Sequence, residues 1–331
     1  TESKVDVTDF RTWDLNTLFK EIHIHFQASL KETELLQQTD ISNFYDILQV
    51  ERNSYIYRPT LFDFLSHNAL LFYKTSETNI TKPAYQFKIN SKDLLKDSKL
   101  FSQLKLNSKD SLSLQFNALI IYQNLLFYHE KSKDKRALVT IDLERLHFVK
   151  QHAIFTNKEH LYLKTLKTSQ QKHKTNDVSG LYAFEIAQIY HQKANSYITT
   201  KNEENRFKNK EALAICNQLI KDFPKSLGAK KCTQLKNKIE LKSLSIIAEK
   251  HVPKNTNSRL SINYKNIDKL FFTAYKINQT QLKSFYKIYK NKERIAFIKN
   301  LEKVIFFAVR ILAILMTFVI IWGIIDVGWI L

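Results

Sequence analysis

Ala212-Leu-Ala-Ile-Cys216-Asn-Gln-Leu219-Ile-Lys-Asp-Phe-Pro224 carries a spacing that few random segments have. A small residue is followed by a larger one four positions on, an apolar one three later and a proline five after that. Ala212, Cys216 and Leu219 share one face at helical period, and Pro224 disfavours helical backbone at the residue before it, so the stretch reads as a helix with a defined end. Leu181, Ala183, Ala187 and Tyr190 mark a helix before it, and Leu227 to Leu241 reads as a helix after it.

That spacing resembles the second helix of a tetratricopeptide-like unit. The insertion Asn195 to Asn209 separates it from the first helix and makes the repeat degenerate. Helical pairs of this kind leave apolar faces uncovered until neighbours stack on them, so an array is expected. Upstream, Leu15, Leu18, Phe19, Ile22 and Phe26 stripe a helix within Phe10 to Leu36. Pro59 suits the first turn of a helix carrying Leu61, Phe64, Leu65, Asn68 and Phe72 on one face. Ser111 is the expected cap of a helix running to about His129, Lys131 to Arg136 a solvated loop, and Asp142 to His152 and Glu159 to Lys172 two further helices. Residues 10 to 240 therefore read as an α-solenoid or irregular helical array.

Near Lys242 the period changes. Leu244, Ile246 and Ala248 alternate as in a strand. Ser261 to Tyr264 and Leu270 to Ile277 read as two strands joined in a hairpin by Lys265 to Lys269, followed by a basic helical connector over 280–303. Val304 to Leu331 has only Arg310 and Asp326 charged and is long enough to cross a bilayer as one helix, with Trp322 and Trp329 at the far interface and Arg310 snorkelling to the near one. The expected fold is mainly α: a helical region (1–176), a tetratricopeptide-like helical pair (177–241), a β segment (242–279), the connector (280–303) and a transmembrane helix (304–331). The expected partners are a lipid bilayer and a protein. Lys287 to Lys303 would put the body on the cytoplasmic side by the positive-inside rule.

Composition excludes several function classes. The chain has 331 residues, with Gly and Pro four each. Gly180, Gly228, Gly323 and Gly328 lie far apart, which excludes a dinucleotide GxGxxG loop, a P-loop and a GxSxG elbow. The net charge is +19, yet only nine of the 51 basic residues are Arg. Bidentate recognition of phosphate and guanine favours Arg, and the lysines are scattered, so the charge reads as a compositional bias and argues against a specific nucleic-acid partner. Cys216 and Cys232 form no CxxC and read as two buried thiols. Thr1 begins the chain without a Met or a charged-then-apolar leader, which reads as a processed chain or a fragment.

Candidate chemistry is sparse. His23 and His25 diverge on a helix and read as exposed histidines. His147 and His152 miss the i, i+4 spacing of HExxH, and His129-Glu130 has no second ligand at the right place. Asp63 and His67 stand at i, i+4 and read as a local surface pair, and Ser66 beside His67 forms no triad. No catalytic, cofactor-binding or metal-ligating residue is assigned, and the expected function is non-enzymatic.

Several motifs together resemble large α2-macroglobulin-like proteins of the Bacteroidetes group. They are Arg11-Thr-Trp13-Asp-Leu15, Tyr57-Arg58-Pro59-Thr-Leu-Phe-Asp-Phe-Leu65, Lys109-Asp-Ser-Leu-Ser-Leu-Gln-Phe116, Phe223-Pro224-Lys-Ser-Leu-Gly-Ala229, and the run from Ser243 through Tyr264-Lys265-Asn266 to Ile277. The resemblance covers about residues 1 to 300. It implies a helical N-terminal region leading into macroglobulin-type β-sandwiches of a cell-envelope protein that traps proteases. The chain lacks the family's Cys-Glu-Gln thioester, since Cys216 precedes Asn217-Gln218 and Cys232 precedes Thr233-Gln234, and it stops before a bait region. The tail from about Leu301 shows instead a slighter resemblance to the first transmembrane helix of small phosphate-starvation-inducible membrane proteins, as a truncated or fused reading frame would. The resemblance places the body in the envelope, against the positive-inside expectation. The alternative is an independent tetratricopeptide-like scaffold that binds a protein partner at the membrane.

Overall fold

Local capping sets where the helices at Leu15, Leu61 and Leu114 begin. Asp14 accepts the Thr17 N–H at 2.7 Å and starts α1 (Leu15–Ser29), after which α2 spans Thr33–Gln38. Thr60 and Asp63 form a reciprocal capping box at the start of α3 (Leu61–Tyr73), each side chain answering the other's backbone N–H. Pro59 thus stands just ahead of the cap and not in the first turn. Ser113, two residues after the expected Ser111, caps α5 (Leu114–Glu130), which follows the short α4 (Ser98–Ser102). The array continues with α6 (Arg136–His152), α7 (Lys158–Lys172), α8 (Ser179–Asn195), α9 (Lys208–Asp222) and α10 (Leu227–Glu240).

This computed structural model describes residues 6, 8–49, 51, 53–75, 84–249, 253 and 259–310. The chain divides into two units, Thr1–Lys236 and Asn237–Leu331. In the first, α3 packs on α5, α5 on α6, α7 on α8, and α8 on α9. The core is built from Ala69 and Leu70 of α3, Leu119, Tyr122 and Leu125 of α5, Val139, Ile141 and Leu146 of α6, Leu166 of α7, and Ala187 of α8. Ala212, Cys216 and Leu219, the positions of the opening motif, are all buried, and both cysteines are free thiols. The chain is mainly helical, as its period implies.

One face came out differently. α3 buries Phe62, Asp63, Ser66, His67, Ala69, Leu70 and Tyr73, not the Leu61–Phe64–Leu65–Asn68–Phe72 face. The helix is apolar nearly all round, so apolarity does not orient it. Two of its buried polar side chains reach across the core, Asp63 to His129 on α5 and His67 toward Glu144 on α6, and that decides its rotation.

Among the described residues, the second unit holds two separate two-stranded sheets. β1 (Ser243–Ala248) pairs antiparallel with β2 (Leu260–Lys265), with Leu244 opposite Tyr264 and Ser243 opposite Lys265. β3 (Lys269–Lys276) pairs with β4 (Glu302–Arg310). The expected hairpin between residues 261–264 and 270–277 is therefore replaced by two other pairings. Between β2 and β3, Asn266 adopts φ 55°, and its side-chain amide donates to the Ile239 and Leu241 carbonyls at 2.8 and 3.2 Å. The basic connector is two short helices, α11 (Gln279–Tyr286) and α12 (Asn291–Lys299), between β3 and β4.

Val304 and Arg310, expected at the near end of a membrane helix, lie in β4. Arg310 is opposite Lys269, and Val304 is the extra residue at the register shift between Ala274 and Tyr275. Short runs of β-branched and aromatic residues such as Val304-Ile-Phe-Phe-Ala-Val suit either period, and here strand pairing takes them. Trp322, Asp326 and Trp329 lie outside the described residues. Among the described residues no helix is long and apolar enough to cross a membrane.

Candidate binding cleft of the helical unit

Four helices of the first unit, α3, α6, α8 and α10, turn side chains toward a common cleft. On α6 the stripe is Thr140, Leu143, Glu144 and His147, spaced i, i+3, i+4 and i+7. On α8 it is Leu181 and Glu185, on α10 Leu227 and Lys231, and on α3 Phe64. The connection from Ile41 to Arg58 forms the remaining wall with Leu48, Tyr57 and Arg58. These residues enclose a cavity of about 680 Å³. A close approach of α8 to α10, where Gly180 meets Gly228, sits beside Leu181 and Leu227 on that lining.

Two carboxylates of the cleft, Glu144 and Glu185, are answered from within the chain. Glu144 accepts from Lys74 Nζ at 2.5 Å and Tyr122 OH at 3.1 Å, and His67 Nδ1 lies 3.8 Å away. Burial alone would raise the Glu144 pKa, but the Lys74 hydrogen bond, the Lys74 charge and the Tyr122 hydrogen bond hold it below the ordinary value. Its neighbour His67 is depressed to about 4, chiefly by burial and by the Arg58 charge, and is neutral at physiological pH. Glu185 pairs with His147 at 3.1 Å. Arg58 and Lys231 differ: no carboxylate among the described residues pairs with either, and Lys231 Nζ rests 5.2 Å from the Phe184 ring.

Behind the cleft lie two closed polar clusters. Asp63 Oδ1 is 2.6 Å from His129 Nε2, and Asp63 Oδ2 accepts the Thr60 hydroxyl and N–H. Arg145, fully buried, grips Asp142 Oδ1 through Nε and Nη2, donates to the Leu94 and Lys96 carbonyls, and stacks over Phe101 at 4.4 Å. Tyr182 OH donates to the other Asp142 oxygen at 2.7 Å. Its phenol is pushed well above the ordinary range, by burial first and by Asp142 second.

The carboxylate–imidazole pair has the composition of a catalytic dyad without the access. Asp63 and His129 side chains are 0 and 2% exposed, and the buried Ser66 hydroxyl has no hydrogen-bond partner among the described atoms. General base chemistry needs the base within reach of a substrate proton. The pair instead ties α3 to α5. The expectation of an exposed Asp63–His67 pair is corrected: both are buried, and Asp63 bonds His129 across the core. His23 is likewise buried, its Nδ1 2.8 Å from Tyr73 OH, whereas His25 is exposed. His152 meets the Gln115 amide at 3.3 Å. No group of three metal-ligating side chains occurs among the described residues.

Of the motif positions, Tyr57 and Arg58 enter the cleft. Trp13 donates its indole N–H to the Asp6 carbonyl at 3.0 Å. Phe223 ends α9, its N–H bonded to Leu219 O at 2.9 Å, and Pro224 leads into the turn where Ser226 caps α10. Tyr264, Lys265 and Asn266 belong to β2 and its turn in the second unit. Asp142, Glu144 and Arg145 do not stand out as site residues in the sequence. The available signal was a set of charged residues in mid-helix, Asp142 and Arg145 at i, i+3 among Leu138, Ile141 and Leu146, which demands internal partners. Comparison with protein-family models, with curated proteins and with solved structures finds no match for the chain, so its functional reading rests on this geometry.

Proposed function

We propose that the helical unit is a non-enzymatic scaffold that binds a segment of a protein partner in the cleft between α3, α6, α8 and α10. One observation carries this reading: α3, α6, α8 and α10, alternating with helices that stay out of the lining, turn apolar and polar side chains toward one trough. Stacked helical pairs use such surfaces for binding. The ionisable groups that would otherwise suggest catalysis are sealed in the core and occupied with each other. Benzoylphenylalanine placed at Phe64 tests the idea in the native cell. Irradiation yields a discrete protein adduct from Phe64 and none from Phe127, an exposed position on α5 outside the cleft. Equal adducts from both positions, or none from Phe64, sink it.

A second reading, favoured by the antiparallel β1–β2 pair that follows the helical unit, is the helical N-terminal part of a macroglobulin-like envelope protein held in a bilayer by the apolar residues after Arg310. DNA downstream of Leu331 that encodes β-sandwiches and a Cys-Glu-Gln supports it, and unrelated coding sequence there removes it. Retention in the membrane pellet after alkaline carbonate extraction is the expected result for the anchor, and release removes it.

A further inference from the structure

The cleft's two kinds of charge are not equivalent. Its buried-side carboxylate, Glu144, is satisfied by Lys74 and Tyr122, and Glu185 by His147. Its cations, Arg58 exposed on one wall and Lys231 half-buried on another, pair with no carboxylate among the described residues, and the one further carboxylate of the lining, Glu51, is exposed and pairs with neither. Between them lie the apolar side chains of Phe64, Leu143, Leu181 and Leu227. A guanidinium offers a fork of donors that one carboxylate fills, and an ammonium beside an aromatic ring keeps its donors for an acceptor. The trough thus presents apolar contact area in the middle and unanswered positive groups on its walls. A chain with net charge +19 also steers acidic partners toward it.

We propose that the cleft binds an extended acidic segment of a partner protein in which carboxylates alternate with apolar side chains, and that Arg58 and Lys231 are the residues that read its carboxylates. The proposal rests on the scaffold reading and specifies its ligand. The apolar side chains of the segment occupy the space over Phe64, Leu181 and Leu227, and its acids reach the two walls. Mixed recognition of this kind separates two roles: apolar burial supplies affinity, and charge pairing supplies selection and the rate of encounter.

Fluorescence anisotropy of the full chain with three short labelled peptides tests it: alternating Glu and Leu, alternating Lys and Leu, and alternating Glu and Ser. The Glu/Leu peptide binds tightest, and Arg58→Glu and Lys231→Glu each weaken it by about tenfold, a typical cost for losing a charge-assisted contact. Lys164→Glu makes the same change in net charge on the exposed face of α7 and leaves binding within about twofold. An equal loss with Lys164→Glu means general attraction to a basic chain and overturns the proposal. Equal binding of the Lys/Leu peptide, cross-linked through benzoylphenylalanine at Phe64, overturns the acidic selection while leaving the scaffold reading intact. No cross-link of any of the three at Phe64 removes both. Circular dichroism of each variant establishes that folding is unchanged. Should Arg58→Glu unfold the chain, Arg58→Gln carries the same expectation at smaller magnitude.

Discussion

Gly180 and Gly228 meet backbone to backbone. A Cβ built on Gly228 would fall 2.4 Å from the Gly180 carbonyl carbon and 2.5 Å from its oxygen. Neither glycine has a positive φ, so space and not dihedral freedom requires them. Their contact fixes how close α8 and α10 lie, and with it the part of the cleft lined by Leu181 and Leu227.

The two positions differ in what they tolerate. At Gly180 the added carbon meets first the Leu219 side chain, at 2.8 Å, which can turn away. Gly228→Ala meets main chain that cannot. Gly228→Ala is expected to cost about 3 kcal/mol, the upper range for overpacking, while Gly180→Ala stays within about 1 kcal/mol because the gain in helix propensity offsets part of the strain. Urea unfolding of both variants checks this, and equal midpoints would refute the asymmetry.

Asp63 serves the α3 capping box and the His129 contact at once. Asp63→Ala is expected to lower stability by about 2–4 kcal/mol, since it removes the acceptor of the buried His129 ring and of the Thr60 hydroxyl and N–H together. Thr60→Ala removes the cap and the hydroxyl donor to Asp63 but leaves the His129 contact, and costs about 1 kcal/mol. Comparing the two by chemical denaturation separates the contributions; similar losses would mean that the His129 contact adds nothing.

Arg145 is held by four acceptor contacts in a planar arrangement. Arg145→Lys keeps the charge and cannot reproduce the fork. A loss of at least about 2 kcal/mol is expected, since Asp142 or a buried carbonyl is left short of a donor. A thermal midpoint equal to that of the wild type would show the fork to be dispensable.

His67 links stability to pH. Its folded pKa is about 4 against 6.5 unfolded. Between those values the unfolded chain binds a proton that the folded chain refuses, so stability falls on acidification by about 1.4 kcal/mol per pH unit from this group. From pH 7 to 5 the loss is about 2 kcal/mol. Urea unfolding at both pH values should show a smaller difference for His67→Gln than for the wild type; an unchanged difference would assign the effect elsewhere.

Helix existence was legible along most of the first unit, because α1, α6, α7, α8, α9 and α10 carry apolar residues at three- and four-residue spacing. Cap identity was less so. Ser111 and Ser113 have the same chemistry, and only the local geometry chooses between them. The candidate cleft was hardly visible. Tyr57 and Arg58 stood out through their motif, but Glu144, Glu185 and Lys231 look like ordinary charged residues on helix surfaces until α6, α8 and α10 are stacked.

Residue order alone determined the mainly helical class, the end of α9 at Phe223-Pro224 and the burial of Cys216, since period and backbone restriction act within a few residues. Tertiary structure decided the rest. The rotation of α3 follows from Asp63 and His67 finding partners 66 and 77 residues away on α5 and α6. The pairing of β3 with β4, which takes Val304 and Arg310 into a strand, depends on hydrogen bonds across the length of α11 and α12. Such choices compare the free energies of distant contacts, and a local pattern that fits two arrangements equally cannot rank them.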